Sequence, residues 1–218
     1  ELQASAGGFS DRRERGTPFT DNEQVGGQAS LRFVREGDWD VEALAYLTAR
    51  QFDTEFARID NSRSTASLAL DQSTSATGIG GKLELRPPMP DSIGLRFGMD
   101  FAHVDGTTRE LASYLAGNPR IRRVAGGNNG NLGLYAEGEW RATGALLLTA
   151  GLRGDFHRRR DGQLVETDIG GGTPIAPVFA PDRNDEYVSA RIGARPSGFR
   201  PTRRRGEPFS SRSRIISA

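Results

Sequence analysis

From Leu132 to Phe156 the chain alternates between two kinds of residue. Leu132, Leu134, Ala136, Gly138 and Trp140 take every second position, with Tyr135, Glu137, Glu139 and Arg141 on the opposite parity. After Ala142-Thr143-Gly144 the pattern resumes, with Leu146, Leu148, Ala150, Leu152 and Phe156 set against Thr149, Gly151, Arg153 and Asp155. A period of two is the signature of β-strands whose side chains point to alternate faces. A connection this short makes the two strands a hairpin. The same reading applies to Ile93, Leu95, Phe97, Met99 and Phe101, and to Trp39, Val41, Ala43, Ala45 and Leu47. In all, eight strand-like stretches are expected, near 1–9, 25–36, 39–52, 78–87, 92–104, 131–141, 145–157 and 186–194. The first, with Leu2, Ala4 and Ala6, shows the least contrast between its faces.

The connections alternate in length. Gly37-Asp38, Pro87 to Asp91 and Ala142 to Gly144 are tight, whereas 10–24, 53–77, 105–130 and 158–185 are long and rich in Gly, Asn, Asp, Ser and Arg. Tight turns at one end and long loops at the other are the pattern of outer-membrane β-barrels, whose strands need only about 9–11 residues to cross a bilayer. Trp39 and Trp140 flank tight turns on the apolar parity, and Phe33 sits near the first of them. Phe101 and Phe156 lie at the other ends of their strands. Phe33, Trp39, Phe101, Trp140 and Phe156 therefore read as two interfacial girdles, and the apolar face is expected to meet lipid. Core aromatics of a soluble barrel would show the same parity.

Composition agrees with this picture. Hydrophobic residues are 35% of the 218, Gly numbers 28, and charged residues are 26%. No run approaches the roughly 20 apolar residues of a membrane-spanning helix, a test that β-strands escape because only alternate residues face lipid. With no cysteine, disulfides and thiolate chemistry are excluded. The formal charge of +1 is unevenly spread: residues 195–218 hold seven Arg and one Glu, leaving 1–194 at −5.

Few motifs point to chemistry. Gly78-Ile79-Gly80-Gly81 and Gly170-Gly171-Gly172 lack the Gly-Lys-Ser/Thr ending of a phosphate loop. They read as a strand kink and a flexible loop. His103 and His157 stand alone at strand ends, without the converging ligands a metal needs. "DRND" at 182–185 lacks the ligand spacing of a calcium loop. No nucleophile, base and orienter set is legible, so no enzyme, cofactor or metal site is expected. "HRRRDG" at 157–162 places Arg158, Arg159 and Arg160 at a rim, where Arg forks could meet lipopolysaccharide phosphates, or simply form a solvated loop. On the polar parity, Glu42, Tyr46, Lys82, Glu84, Arg86, Arg96, Asp100, Glu137, Glu139, Arg153 and Asp155 are expected to face a lumen, as contacts for a plug or substrate.

Several stretches resemble the barrel of TonB-dependent outer-membrane receptors over roughly residues 1–194. They are "RGTPFTDN" (15–22), "GIGGKLELRPP" (78–88), "LRFGMDFAHVDGTTRE" (95–110) and the hairpin from Leu132 to Phe156. The resemblance implies an all-β, antiparallel, up-and-down transmembrane sheet of about eight strands, an open segment of a 22-stranded barrel. It also implies a bacterial outer-membrane transporter that imports a siderophore or other large nutrient. Its partners would be outer-membrane lipid, an N-terminal plug, the remaining barrel strands, an energy-coupling inner-membrane complex and an extracellular nutrient ligand, with no nucleic acid.

The domain division expected is 1–194 as partial barrel and 195–218 as an irregular basic tail. "PSGFRPTRRRGEPFSSRSRIISA" stands where the family leads one to expect a turn and a further strand, and reads as the product of a shifted reading frame. A nucleic-acid contact at Arg203-Arg204-Arg205 is the competing reading of that tail.

Two other functions fit the alternation: a complete eight-stranded outer-membrane barrel with a structural or adhesive role, and a soluble ligand-binding barrel with its apolar face inward. The strand count separates them geometrically. A segment of a wide barrel should form an open sheet whose first and last strands are unpaired with each other, whereas a complete small barrel would close. Leu148, in the middle of the Leu146, Leu148, Ala150 run, is expected near the bilayer midplane.

Overall fold

The computed structural model describes residues 1–171 and 174–196, and these form a single antiparallel sheet. Its strands are β1 (Leu2–Arg13), β2 (Asn22–Arg35), β3 (Asp40–Ile59), β4 (Ala66–Arg86), β5 (Ile93–Ala112), β6 (Ile121–Thr143), β7 (Leu146–Asp168), β8 (Pro174–Phe179) and β9 (Arg183–Pro196). Each strand from β1 to β7 pairs with the next in sequence, and β8 and β9 both pair with β7. Among the described residues no ladder joins β1 to β8 or β9, so the sheet is open as expected.

The eighth expected strand is β9, and β8 lies in what read as a long loop. The two lie end to end on β7: β8 runs along Gln163–Thr167 and β9 along Leu146–Arg159. Pro181 lies between them, and a proline cannot donate to a ladder. Opposite the break, β7 bulges at Asp161-Gly162, with Asp161 at φ 56°. Aspartate tolerates this left-handed conformation better than most residues.

The short connections lie where the alternation placed them, at 36–39, 87–92 and 144–145. The long loops do not. β3 to β7 run for 20 to 23 residues each, so most of 53–77, 105–130 and 158–168 is strand, and the other-end connections shrink to 14–21, 60–65, 113–120 and 169–173. Even "GGNNGN" (126–131) belongs to β6. These stretches lack apolar alternation because neither face there is greasy. Their strands are held by neighbouring backbone ladders, which composition does not reveal.

Within the alternating part, the register carries one face across the whole sheet. Phe33, Ala43, Leu83, Met99, Leu134, Gly154 and Val188 fall in one cross-strand row, and Leu31, Ala45, Gly81, Phe101, Leu132 and Phe156 in another. Large apolar side chains here stay open, Leu134 at 46% and Leu152 at 56% exposure. Apart from glycines, only Thr54, Glu84, Ala112 and Leu147 are buried among the described residues. A one-layer sheet has no core, and a soluble monomer would not leave an apolar face of this extent bare.

Candidate functional site

The opposite face gathers the charged residues. Glu42, Glu84, Gly98, Tyr135, Arg153 and Ser189 share one row. Lys82, Asp100, Gly133 and Asp155 share the next, and Arg96, Glu137, Gly151 and Arg191 the row on the other side. Tyr46 and Arg86 lie on the same face, opposite Gly80 and Asp40. Glu139 stands one row nearer the turn, opposite Gly94 and Thr149. Alternation thus puts all eleven sequence-predicted polar positions on a single face.

Glu84 is the hub. Its carboxylate, 4% exposed, accepts from Lys82 at 3.0 Å and Arg86 at 2.6 Å, and lies 3.8 Å from Arg96. The Tyr135 hydroxyl donates to it at 2.9 Å. Arg96 also pairs with Glu137, which Arg191 shares from β9. Arg153 forks onto Asp100 at 2.7 and 3.0 Å, pairs with Asp155 at 2.6 Å, and lies 5.9 Å from the Tyr135 ring centroid. A buried carboxylate is stable only when its lone pairs are met this fully.

The glycines on this face make the reach possible. Tyr135 and Glu84 are two strands apart, with Gly98 between them in the row. A Cβ on Gly98 would overlap the Tyr135 ring. Gly133 lies likewise beneath the Arg153 guanidinium as it extends toward Asp100, and Gly151 between Glu137 and Arg191. Tyr46 lies over Gly80 in the same manner. Each glycine leaves a saddle over which a long side chain crosses an intervening strand.

Beyond the apolar rows, the extended strands carry a second polar ladder. Asn22, Thr54, Gln72, Glu110, Arg123 and Glu166 occupy one row across β2 to β7. The Asn22 amide donates to the Thr54 hydroxyl at 2.5 Å, Gln72 donates to Glu110 at 2.8 Å, and Arg123 pairs with Glu166 and lies 3.7 Å from Glu110. The arginine run at the rim separates. Arg159 is held by Asp185 at 3.0 Å and Arg160 by Asp182 at 2.6 Å, both acids from "DRND". Arg158 shares the parity of Phe156, opposite Gly130 and Asn184. His157 bonds Asn131 at 2.7 Å and meets the edge of Tyr187 at 5.6 Å. The five aromatics Phe33, Trp39, Phe101, Trp140 and Phe156 are all exposed. Arg203-Arg204-Arg205 lie outside the described residues.

The open meander, its two-faced band and its length pattern have clear counterparts. The family described as TonB dependent receptor-like, beta-barrel matches residues 2–203. The chain belongs to this family. Its fold is that of the ferric yersiniabactin uptake receptor FyuA from Yersinia pestis, with a TM-score of 0.61 and 14% identity over 83% of this chain and 27% of that one. The ferric-catecholate import receptor Fiu from E. coli K12 matches in its open form with a TM-score of 0.58 and 14% identity, over 84% of this chain and 34% of that one. Its closed form gives 0.56 and 13%, over 84% and 32%. The chain therefore spans about a quarter to a third of the length of these receptors. Comparison with curated protein sequences gives no match. The family consists of outer-membrane receptors and transporters of bacteria rather than enzymes.

Sequence reasoning missed Arg32, which pairs with Glu42 at 3.2 Å, and Arg191. Arg191 was within reach, because Tyr187, Ser189 and Arg191 alternate with Val188, Ala190 and Ile192. The saddle glycines were not, since only the cross-strand register shows what passes over them.

Proposed function

We propose that the chain is part of the transmembrane wall of a TonB-dependent receptor that imports a siderophore or another large nutrient across a bacterial outer membrane. The observation that carries this reading is the one-layer sheet with a continuous bare apolar face and an ion-paired polar face, in a chain of the receptor-barrel family. The apolar face meets lipid between the aromatic girdles. Trp140 and Leu132, the latter in the row of Phe101 and Phe156, are eight residues apart on β6. That is about 27 Å along the strand, or roughly 21 Å of height at a tilt of about 40°, close to the ~25 Å apolar band of such barrels.

The polar face looks into the lumen, where the eleven charged and phenolic residues and Arg191 contact a plug supplied by the rest of the receptor. The polar strand extensions rise outside the membrane toward the ligand. The remaining strands pair with the free edges of β1 and of β8 and β9, and an inner-membrane complex energises transport through the plug. Arg158, on the lipid side just above Phe156, is the rim arginine placed for a lipopolysaccharide phosphate. The barrel part is residues 1–194 together with Arg195 and Pro196, which complete the β9 ladder, and the basic sequence that follows is read as the product of a shifted frame. A complete eight-stranded barrel is disfavoured because, among the described residues, the outer edge of β1 meets no strand.

The test is deletion of the gene that encodes the whole receptor, followed by uptake measurements with a panel of ferric siderophores and other large nutrients. Loss of energy-dependent uptake of one of them is expected. Unchanged uptake of every compound, with the protein confirmed in the outer membrane of the parent strain, would sink the proposal.

A further inference from the structure

Three steps in the chain place a glycine directly after an aspartate or asparagine: Asp105-Gly106, Asn129-Gly130 and Asp161-Gly162. In each the first residue is exposed and the glycine half-buried, so water reaches all three alike. Their backbones differ. Asp105 is laddered to Thr77 and Asn128, and Gly106 to Ala76 and Gly127. Asn129 is laddered to Val104 and Arg159, and Gly130 to His103 and Arg158. Asp161 and Gly162 instead fall between the pairs Arg160–Asn128 and Gln163–Gly126, with Gly127 skipped across from them. On the other side of β7, β9 reaches only to Arg159 and β8 only to Gln163. Among the described residues, this step of the three lacks register partners on both sides.

We propose that Asp161 is a modification site, where aspartate converts spontaneously to isoaspartate. The Gly162 nitrogen attacks Cγ of the protonated Asp161 carboxyl. A C–N bond forms, the amide proton and the carboxyl hydroxyl leave together as water, and a five-membered succinimide closes. Water then adds to the carbonyl on the Cα side and breaks its bond to the nitrogen. The chain now runs through Cβ and Cγ, and the former main-chain carbonyl has become the side-chain carboxylate. The product holds the same atoms as the aspartate it replaces.

Ring closure turns the Cα–C bond far from the strand value of ψ, about +135°. In a ladder that turn breaks backbone hydrogen bonds to both neighbours, and the residue opens only with its strand. At Asp161 the strand is already interrupted. Its φ of 56° is a left-handed conformation that costs an aspartate energy to hold. Exposed side chains hold it there: Asn128 donates to its carboxylate at 2.7 Å, and its N–H donates to Asp182 at 3.4 Å. Gly162 is tied through its carbonyl, which accepts from Ala180 at 2.7 Å, and it brings no side chain to obstruct the attack. The product adds a methylene to the main chain where β7 already carries an extra residue. The change therefore loosens the outer end of the sheet and leaves the apolar band intact. This chemistry does not depend on the transporter reading.

The experiment ages the full-length receptor in its native membrane at neutral pH, beside a sample kept unfolded in urea. Peptide mapping reads isoaspartate by resistance to a protease that cuts before aspartate, and the reaction of Asn129 by its gain in mass. Folded Asp161 is expected to react within about tenfold of its unfolded rate, with Asp105 and Asn129 slowed about a hundredfold or more. In Asp161→Asn the same attack expels ammonia, and the gain in mass reads the reaction independently at the same relative pace. Amide exchange of the aged receptor should quicken at 163–167 and 174–179. Slowing at Asp161 as strong as at Asp105, or in Asp161→Asn as strong as at Asn129, overturns the proposal. Unchanged exchange in protein shown to carry isoaspartate overturns the loosening.

Discussion

The strands have two halves built from different chemistry. Between the short turns and the row of Phe101, Leu132 and Phe156, one face is apolar and the other is a network of ion pairs around Glu84 and Arg153. Beyond that row both faces are polar, and the strands are tied side to side by amides, hydroxyls and the Glu110–Arg123–Glu166 contacts. On the proposed reading the first half faces lipid on one side and water on the other, so each position has a required polarity and a substitution is felt strongly. The second half has water on offer throughout, so its order comes from backbone ladders and its side chains tolerate change.

The largest expected effect is in the first half and, with the girdles as proposed, moves the expected midplane position from Leu148 to Leu152. Leu148 pairs with Trp140 near the turn, whereas Leu152 lies midway between that row and Phe156. Leu152→Arg should therefore destabilise the receptor in lipid vesicles by about 2–4 kcal/mol, and Leu148→Arg by only about 0–1 kcal/mol. Urea titration of the refolded receptor distinguishes the two. Equal losses would remove the proposed depth assignment.

Next in size is Gly98→Val, which should cost about 1–3 kcal/mol by forcing the Tyr135 ring off its saddle and away from Glu84. Tyr135→Phe in the Gly98→Val background should then add little, because the hydrogen bond is already lost. Full additivity of the two changes would mean that the ring does not depend on Gly98.

In the second half, Arg123→Met should change global stability by under about 1 kcal/mol, since its partners keep access to water. Amide exchange should quicken locally around 121–125 and 164–168. A global loss as large as that of Leu152→Arg would erase the contrast between the halves.

The smallest effect concerns the turn from β3 to β4. Hydrogen bonds from Ser62 and Ser64 and from the backbone of Thr65 and Ser64 hold the Asp60 carboxyl well below the usual carboxylate range. Because the folded value is depressed, the cap is fully present above the ordinary value near 3.9 and fades only as pH falls below it. Amide protection at Ser64 and Thr65 should stay flat from about pH 8 to 5 and drop in stronger acid. A drop centred near neutrality would contradict this.

The sequence by itself determined the fold class, the strands of the apolar band, the tight turns and the face on which Glu84, Arg96, Glu137 and Arg153 lie. It could do so because lipid and water impose opposite demands on successive residues, and a period of two is a local property. Three things were decided only by the tertiary structure. The extensions past Phe101 and Phe156 became strand because their neighbours offered backbone partners, while their composition resembled that of loops. The openness of the sheet depended on whether β1 meets β8 and β9, a contact between residues far apart in the chain. And Gly98, Gly133 and Gly151 acquired their role from the side chains that the cross-strand register carries over them, since a residue without a side chain shows its function only through what occupies the space it leaves.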